Sequence, residues 1–379
     1  MGMAVTSATQ SDEVARPGES PDRAPESGSQ GGSPAPQRSE HSHKRMRRLV
    51  SVGIFLLVVA ALVAFIPGHV GELREELRRM EAGDWRWLVV AALFEIVSFG
   101  GYVVLFRAVF SDPRTPISWG ESYQITMAGV IATRLLAAAG AGGVALTAWA
   151  LKRAGMRTAT VARRMVEFLV VLYSVYVLAL LLCGLGLRTG LIPGAAPFGL
   201  TVPPAILGAI AVVLALATTL VPSDLSTRVD ERRRVLHWLA AGADTVADGV
   251  RDAIRLMRRK PAGAAGAPVW WGFDIAVLWA SFKAFGHAPA IGVVVMAYFV
   301  GTLGNLLPLP GGVGGVDGGI IAALVGFGVG GGIALLAVLT HRVFSFWLPT
   351  IPGGIAYLQL RRTVERWDDS GPDPAPAIG

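Results

Sequence analysis

Asn305-Leu306-Leu307-Pro308-Leu309-Pro310-Gly311-Gly312-Val313-Gly314-Gly315-Val316-Asp317-Gly318-Gly319 is a helix break set inside apolar sequence. Residues 289–304 before it and 320–339 after it are almost entirely apolar. Two prolines and six glycines in between cannot carry an α-helix through. In hydrocarbon every freed N–H and C=O needs a partner, so a break of this kind stands only inside protein or along a wet cavity. Interrupted helices build substrate sites at mid-membrane depth in transporters. The stretch therefore points to a membrane protein whose working part lies here.

Composition gives the same answer independently. Hydrophobic residues make up 53% of the 379, charged residues 16%, and the mean hydropathy is +0.52, too apolar for a soluble domain of this length. Spans are expected at 49–67, 85–106, 165–187, 203–222, 269–287 and 289–307. Two further pairs of apolar segments, 118–134 with 135–151 and 319–339 with 340–360, would each return the chain to its starting side. The expected fold is all-α and polytopic, with roughly eight to ten membrane segments, some of them broken by Gly and Pro or re-entrant.

A net charge of +7 and a pI near 10 could suggest nucleic acid, but the distribution excludes it. Lys and Arg gather in 44–48, 152–164 and 228–260 beside apolar spans, while the loop 188–202 carries only Arg188. That asymmetry places the N-terminus, 152–164, 228–260 and Arg361-Arg362 in the cytoplasm. The loop 68–84 departs from it with Arg74, Arg78 and Arg79, offset by Glu72, Glu75, Glu76 and Glu81. Cys183 is the single cysteine, so no disulfide or cysteine-based metal site forms within one chain. Neither metal nor cofactor is expected; His41 and His43 sit in a tail too polar to fold.

The domain plan follows. Residues 1–48 read as a disordered polar, then basic, cytoplasmic tail, 49–360 as one transmembrane domain, and 361–379 as a polar cytoplasmic tail. Within the domain, 223–267 is a cytoplasmic insert in which Val235, Leu239, Val246, Val250, Ile254 and Met257 recur at helical spacing. That amphipathic helix either lies on the leaflet, its arginines toward anionic headgroups, or packs on the protein's own loops. Pro261–Gly266 reads as a flexible link. An internal echo is also present: Arg134, Leu135, Leu136, Gly140 and Gly143 parallel Asn305, Leu306, Leu307, Gly311 and Gly314 at an offset of 171, with only the leucines and glycines identical. The two breaks would face opposite sides, as an inverted repeat requires.

Charged side chains inside spans are costly and therefore candidates for function. Glu95, Glu167, Asp274, Asp317, Arg134, Lys283 and Arg342 qualify. Lys283 is read as snorkelling, Asp274 as able to face water near a span end, and Glu167 as a partner for Arg163 or Arg164. Arg134 and Asp317 adjoin glycine-rich breaks where backbone can approach a ligand. A helix restarting after Gly315 would offer N–H groups to an anion, though Asp317 could instead only cap it. Arg134 and Arg342 suit an anionic headgroup, and an intramolecular pair with Asp317 or Glu167 would suit them equally. No catalytic signature is present: there is no Gly-Lys-Ser/Thr loop, no His-Glu-x-x-His and no Gly-x-Ser-x-Gly, so the chain is not expected to be an enzyme.

With these residues in view, the chain resembles the flippase-like membrane family found as the transmembrane region of lysylphosphatidylglycerol synthases. Asn305-Leu306-Leu307-Pro308, Pro310-Gly311-Gly312, Gly314 and Asp317 follow that family's Pro-x-Pro-Gly-Gly-x-Gly pattern with a later acid, usually Glu. Arg342 to Pro349 with Gly353, and Gly140 to Gly155 followed by Glu167, extend the likeness. The chain departs where Glu167-Phe168 replaces Glu-Arg, and where Ala138 and Val144 replace a proline and an acid. With so short a polar tail, the synthases' aminoacyl-transferase domain is not expected here.

The resemblance implies movement of aminoacylated or glycosylated lipids between leaflets. The expected function is thus binding and translocation of an anionic phospholipid or lipid-linked sugar in the cytoplasmic membrane. The expected site comprises Arg134, Glu167, Asn305, Pro308, Pro310, Gly311, Gly312, Gly314, Gly315, Asp317 and Arg342. Expected partners are membrane lipid and the bilayer, with a separate lipid-modifying enzyme as a further candidate and no nucleic acid. A small-solute or ion-coupled transporter and a non-transporting partner of a lipid-modifying enzyme stay open as alternatives.

Overall fold

The computed structural model describes residues 83–113, 115–135, 141–222, 225–228, 234–306 and 315–369. The expected span 49–67, both tails beyond these limits and the stretch 307–314 lie outside them. Among the described residues there is no strand. The long helices are α1 Trp85–Phe110, α2 Trp119–Leu135, α3 Ala141–Arg153, α4 Thr158–Thr189, α5 Phe198–Thr218 and α6 Arg234–Arg259. They continue with α7 Gly266–Ala284, α8 Ile291–Thr302, α9 Gly315–Gly326, α10 Gly331–Arg342 and α11 Thr350–Asp369.

Local chemistry sets several of these limits. Asp84 caps α1 by accepting from the Arg86 N–H at 3.0 Å. Ser118 and Glu121 form a capping box before α2: the Glu121 N–H donates to Ser118 Oγ at 3.2 Å, and the Ser118 N–H to Glu121 Oε2 at 2.7 Å. Gly190 closes α4 in the left-handed region at φ +77.

Glycine crossings then assemble the bundle. Helices associate in lipid without a hydrophobic drive, so small residues that let backbones touch carry much of the packing. A Cβ on Gly101 of α1 would fall 2.8 Å from the Gly266 carbonyl of α7. One on Gly143 of α3 would fall 2.7 Å from the Gly129 carbonyl of α2. One on Gly319 of α9 would fall 2.6 Å from the Gly301 carbonyl of α8. Phe110, Phe282, Phe299, Leu278, Met296 and Leu324 fill the interior between these crossings.

The outside of the bundle is as apolar as the inside. Ile206, Ile210, Val213 and Leu214 on α5 are exposed, as are Val89, Leu93 and Ile96 on α1 and Ile351, Ile355 and Leu358 on α11. Apolar stripes of that length are tolerable only with hydrocarbon as the solvent. Four helical runs, Trp85–Phe110, Thr158–Thr189, Phe198–Thr218 and Gly331–Trp367, are long and apolar enough to cross a bilayer. The molecule is a polytopic helical membrane protein.

Several boundaries differ from the sequence expectation. The pair 319–339 with 340–360 divides instead at Phe327–Gly330, because Gly328 adopts φ +88 and ends α9. From Gly331 the chain stays helical to Asp369, interrupted only by the π-helical turn Val343–Trp347 and by Leu348–Pro349. The segment 289–307 ends as an α-helix at Thr302 and tightens into a 3₁₀ turn, Leu303–Leu306. Pro261–Ala264 is a helical turn rather than a flexible link, and Gly263 packs against Ala108 of α1.

The insert helix α6 turns mainly small residues inward and leaves most of its large apolar stripe exposed, an arrangement compatible with the leaflet alternative. Ala240, Ala247, Val250, Ala253 and Leu256 are buried, whereas Val235, Leu239, Val246 and Met257 are exposed. Small residues face the neighbouring helix because Gly249 must clear Val166 of α4. Arg255 pairs with Asp252 and Arg251 with Asp248 at 2.9 Å, so those two arginines already have carboxylate partners.

Gly319→Val forces a branched side chain against backbone and is expected to destabilise by about 1–3 kcal/mol. Gly318→Ala, with open space around it, is expected to melt like wild type in detergent. Near α6, the Ser226 hydroxyl donates to Asp244 at 2.6 Å, aided by the Ser226 and Leu225 N–H groups, and holds that carboxyl below its usual range. The clamp is complete above the ordinary carboxylate pKa of about 3.9 and is lost as pH falls through the lowered native value. Asp244→Asn should therefore speed amide exchange at Ser226 at neutral pH, and the difference from wild type should shrink on acidification.

Candidate functional site

A cavity of about 370 Å³ opens among α1, α2, α3, α4, α7, α8, α9 and α10. Apolar and aromatic walls, Phe106, Phe168, Leu172, Trp270 and Trp271 among them, surround a small set of polar groups. The aromatic wall is pinned in place: Trp271 Nε1 donates to the Leu172 carbonyl at 2.8 Å, and the Tyr176 hydroxyl to the Phe299 carbonyl at 2.7 Å.

Two charged groups facing the cavity bond each other. Arg342, the last residue of α10, pairs through Nη1 with Asp317 Oδ2. Asp317 lies in the first turn of α9, where the helix dipole favours a carboxylate. It is inside the helix, two residues beyond Gly315, and so is not the residue preceding it that would cap it. The guanidinium also lies 5.0 Å from the centre of the Phe346 ring, one turn further along. Its neighbours Val343–Trp347 form the π-helical turn, a geometry concentrated at functional sites.

A second polar group joins four helices. His341 Nε2 of α10 is 3.3 Å from Asp274 Oδ1 of α7, and the Tyr298 hydroxyl of α8 donates to Asp274 Oδ2. Glu95 of α1 approaches the same carboxyl. Asp274 is 9% exposed, so it does not face water at a span end as expected; α1, α8 and α10 enclose it.

The remaining expected residues are placed as follows. Gly315 begins α9, its carbonyl lying against Gly304. Glu167 is buried in α4 but does not line the cavity. Arg163 and Arg164 reach other carboxylates, Asp252 at 3.2 Å and Asp112, in place of the expected pairing with Glu167. Arg134 is the penultimate residue of α2, next to Thr133, which lines the cavity, and its side chain lies outside the described residues. The Asn305 side chain, Pro308, Pro310, Gly311, Gly312 and Gly314 also lie outside it. Lys283 stands 5.2 Å over the Trp279 ring near the end of α7. Sequence reasoning missed His341, Tyr298, Ser345 and Thr126. A histidine interrupting an apolar run was the available signal for the first.

A family model described as the lysylphosphatidylglycerol synthase transmembrane region matches residues 49–353. A UPF0104 membrane protein of Methanocaldococcus jannaschii is 30% identical over 95 residues, 25% of this chain and 28% of that relative. Two UPF0104 membrane proteins of Methanothermobacter thermautotrophicus are 33% and 34% identical over 87 and 86 residues, covering 23% and 22% of this chain and 25% and 26% of theirs. The chain thus aligns with about a quarter of the length of each relative. The chain belongs to the lysylphosphatidylglycerol synthase transmembrane-region family.

Leaving one member of a buried pair alone is costly, whereas replacing both with apolar residues is often neutral. Arg342→Gln is therefore expected to destabilise by about 3–5 kcal/mol. Thermal melting in detergent should show the double variant Arg342→Met with Asp317→Leu recovering most of that loss.

Proposed function

We propose, from that family membership and the cavity together, that the chain binds an anionic phospholipid or lipid-linked sugar and moves it between leaflets of the cytoplasmic membrane. One observation carries the reading: a headgroup-sized cavity inside an apolar-surfaced bundle holds an arginine–aspartate pair. Headgroup pockets of this kind are mostly apolar with a few fixed polar groups, and the wall here has that make-up.

In this reading a lipid phosphate competes with Asp317 for the Arg342 guanidinium, whose planar fork suits phosphate oxygens. The Phe346 ring keeps the guanidinium oriented while the partner changes. Thr126, Thr133 and Thr147 offer hydroxyls to a glycerol or sugar. Arg134 and Asn305, beside the two breaks, are assigned to the headgroup as it passes. Pro308, Pro310, Gly311, Gly312, Gly314 and Gly315 are assigned to shaping the second break, with free N–H groups for the anion. Glu167 and Asp317 bias the alternate states. Helices α8 and α9, of 12 residues each, reach only about 18 Å at 1.5 Å per residue. That is short of a hydrocarbon core of about 30 Å, which favours re-entry over crossing. The N- and C-termini are assigned to the cytoplasm on the charge asymmetry of the sequence.

The test is leaflet exchange of headgroup-labelled phosphatidylglycerol in liposomes holding the full chain. Wild type should exchange rapidly. Arg342→Lys keeps the charge but loses the fork, and should slow exchange about 10–100-fold, as loss of a charged hydrogen bond of about 1.5–3 kcal/mol implies. Exchange at the wild-type rate in both Arg342→Lys and Arg134→Ala would move the reading to a non-transporting partner of a lipid-modifying enzyme.

A further inference from the structure

The headgroup reading uses Arg342 and Asp317 and leaves the second polar group without a task. Its members are well buried: Glu95 is 3% exposed, His341 7% and Asp274 9%. They form a continuous row. Ser345 Oγ lies 3.4 Å from His341 Nδ1, His341 Nε2 lies 3.3 Å from Asp274 Oδ1, and Asp274 Oδ2 accepts from the Tyr298 hydroxyl. Glu95 meets the same carboxyl from α1.

An ionised carboxylate only accepts hydrogen bonds. Two neighbouring carboxyls away from bulk water favour holding a proton between them, and an imidazole beside them offers a second place for it. No such grouping is needed to pack four helices, and apolar residues would serve that end at lower cost. A separate observation concerns the cavity wall. Thr126 Oγ1, on a residue 3% exposed, finds no hydrogen-bond partner among the described residues, and Thr126 lines the same cavity as Glu95, Asp274 and His341. Such an atom calls for a water or a ligand hydroxyl.

We infer that Glu95, Asp274 and His341 form a proton-binding site whose loading and unloading accompany passage of the headgroup, so that lipid movement is driven by a proton gradient. The inference rests on the headgroup reading. Its mechanical link is the chain itself. His341 and Arg342 are consecutive, and the π-helical turn that follows carries both Ser345, which contacts His341, and Phe346, which contacts Arg342. When a phosphate draws Arg342 away from Asp317, that turn shifts and the contact of Ser345 with His341 changes with it. The transferred species is a proton alone: an O–H or N–H bond forms on loading and breaks on release to water on the other side. The other titratable and charged groups described around the site are Tyr102 from α1, Tyr173 and Tyr176 from α4, Tyr298 from α8, Asp317 from α9 and Arg342 from α10. Among the described side chains of α2, those that line the cavity are uncharged, Thr126 and Thr133 among them.

Two measurements on the full chain in phosphatidylglycerol–phosphatidylcholine vesicles test this. First, infrared difference spectra between neutral and acidic pH should contain a protonated-carboxyl C=O band. It should disappear in Glu95→Gln and Asp274→Asn and persist in Asp317→Asn; absence of the band, or its persistence in the first two variants, overturns the site. Second, exchange of headgroup-labelled phosphatidylglycerol is followed with and without an imposed pH difference. One proton per lipid across one pH unit supports about a tenfold leaflet asymmetry in wild type, and none in Glu95→Gln. Exchange in wild type that ignores the gradient overturns the coupling and leaves the headgroup reading standing. Absence of exchange under every condition overturns both.

Discussion

In hydrocarbon a main-chain N–H or C=O has no water to bond, and the rest of this structure answers to that constraint. A helix can be broken at membrane depth only if protein closes around the break. Here the closure is backbone against backbone. Gly301 and Gly304 on one side of the break meet Gly319 and Gly315 on the other, with no side chain between them. On either side of the first break, α2 and α3 meet in the same manner through Gly129 and Gly143. Glycine is needed at these positions for proximity, and the short helices that result bring Asp317 to the cavity wall.

The second consequence concerns charge. Among the described residues, the acidic and basic side chains of the cavity reach one another: Arg342 with Asp317, His341 with Asp274, and Glu95 with Asp274. Pairing lowers the cost of keeping them there without removing their capacity to exchange partners. Trp271, Tyr176 and Phe299 are held by edge-on ring contacts and by hydrogen bonds to main-chain carbonyls. Opposite that wall the regular helix gives way to the π-helical turn at Val343–Trp347.

Much of this was legible in the sequence because membrane solvation acts on short windows. The span at α1 was found within four residues of its limits and those at α4 and α5 within about seven, and the break before Gly315 was plain from its prolines and glycines. What could not be read was which side chains meet. Asp274 looked like a span-end residue until α8 and α10 supplied Tyr298 and His341 from 24 and 67 residues away. The stripe on α6 left open whether it faced the leaflet or the protein; close approach to α4 put alanines and Val250 inward and left the other large residues mostly exposed. The α9–α10 boundary was missed because Gly328 lies in a run already rich in glycine, where one positive φ has no distinctive signature. The alternative of an internal Arg342–Asp317 pair was visible in advance, and only three-dimensional packing could choose it.

The central claim is that the cavity beside Arg342 and Asp317 receives a lipid headgroup. Photocrosslinking with phosphatidylglycerol bearing a diazirine on its headgroup, followed by peptide mapping, tests it directly. The account predicts adducts on cavity residues such as Thr126, Phe346 and Trp270, reduced in Arg342→Lys. Adducts confined to the outer faces of α5 and α11, and unchanged in that variant, would contradict it.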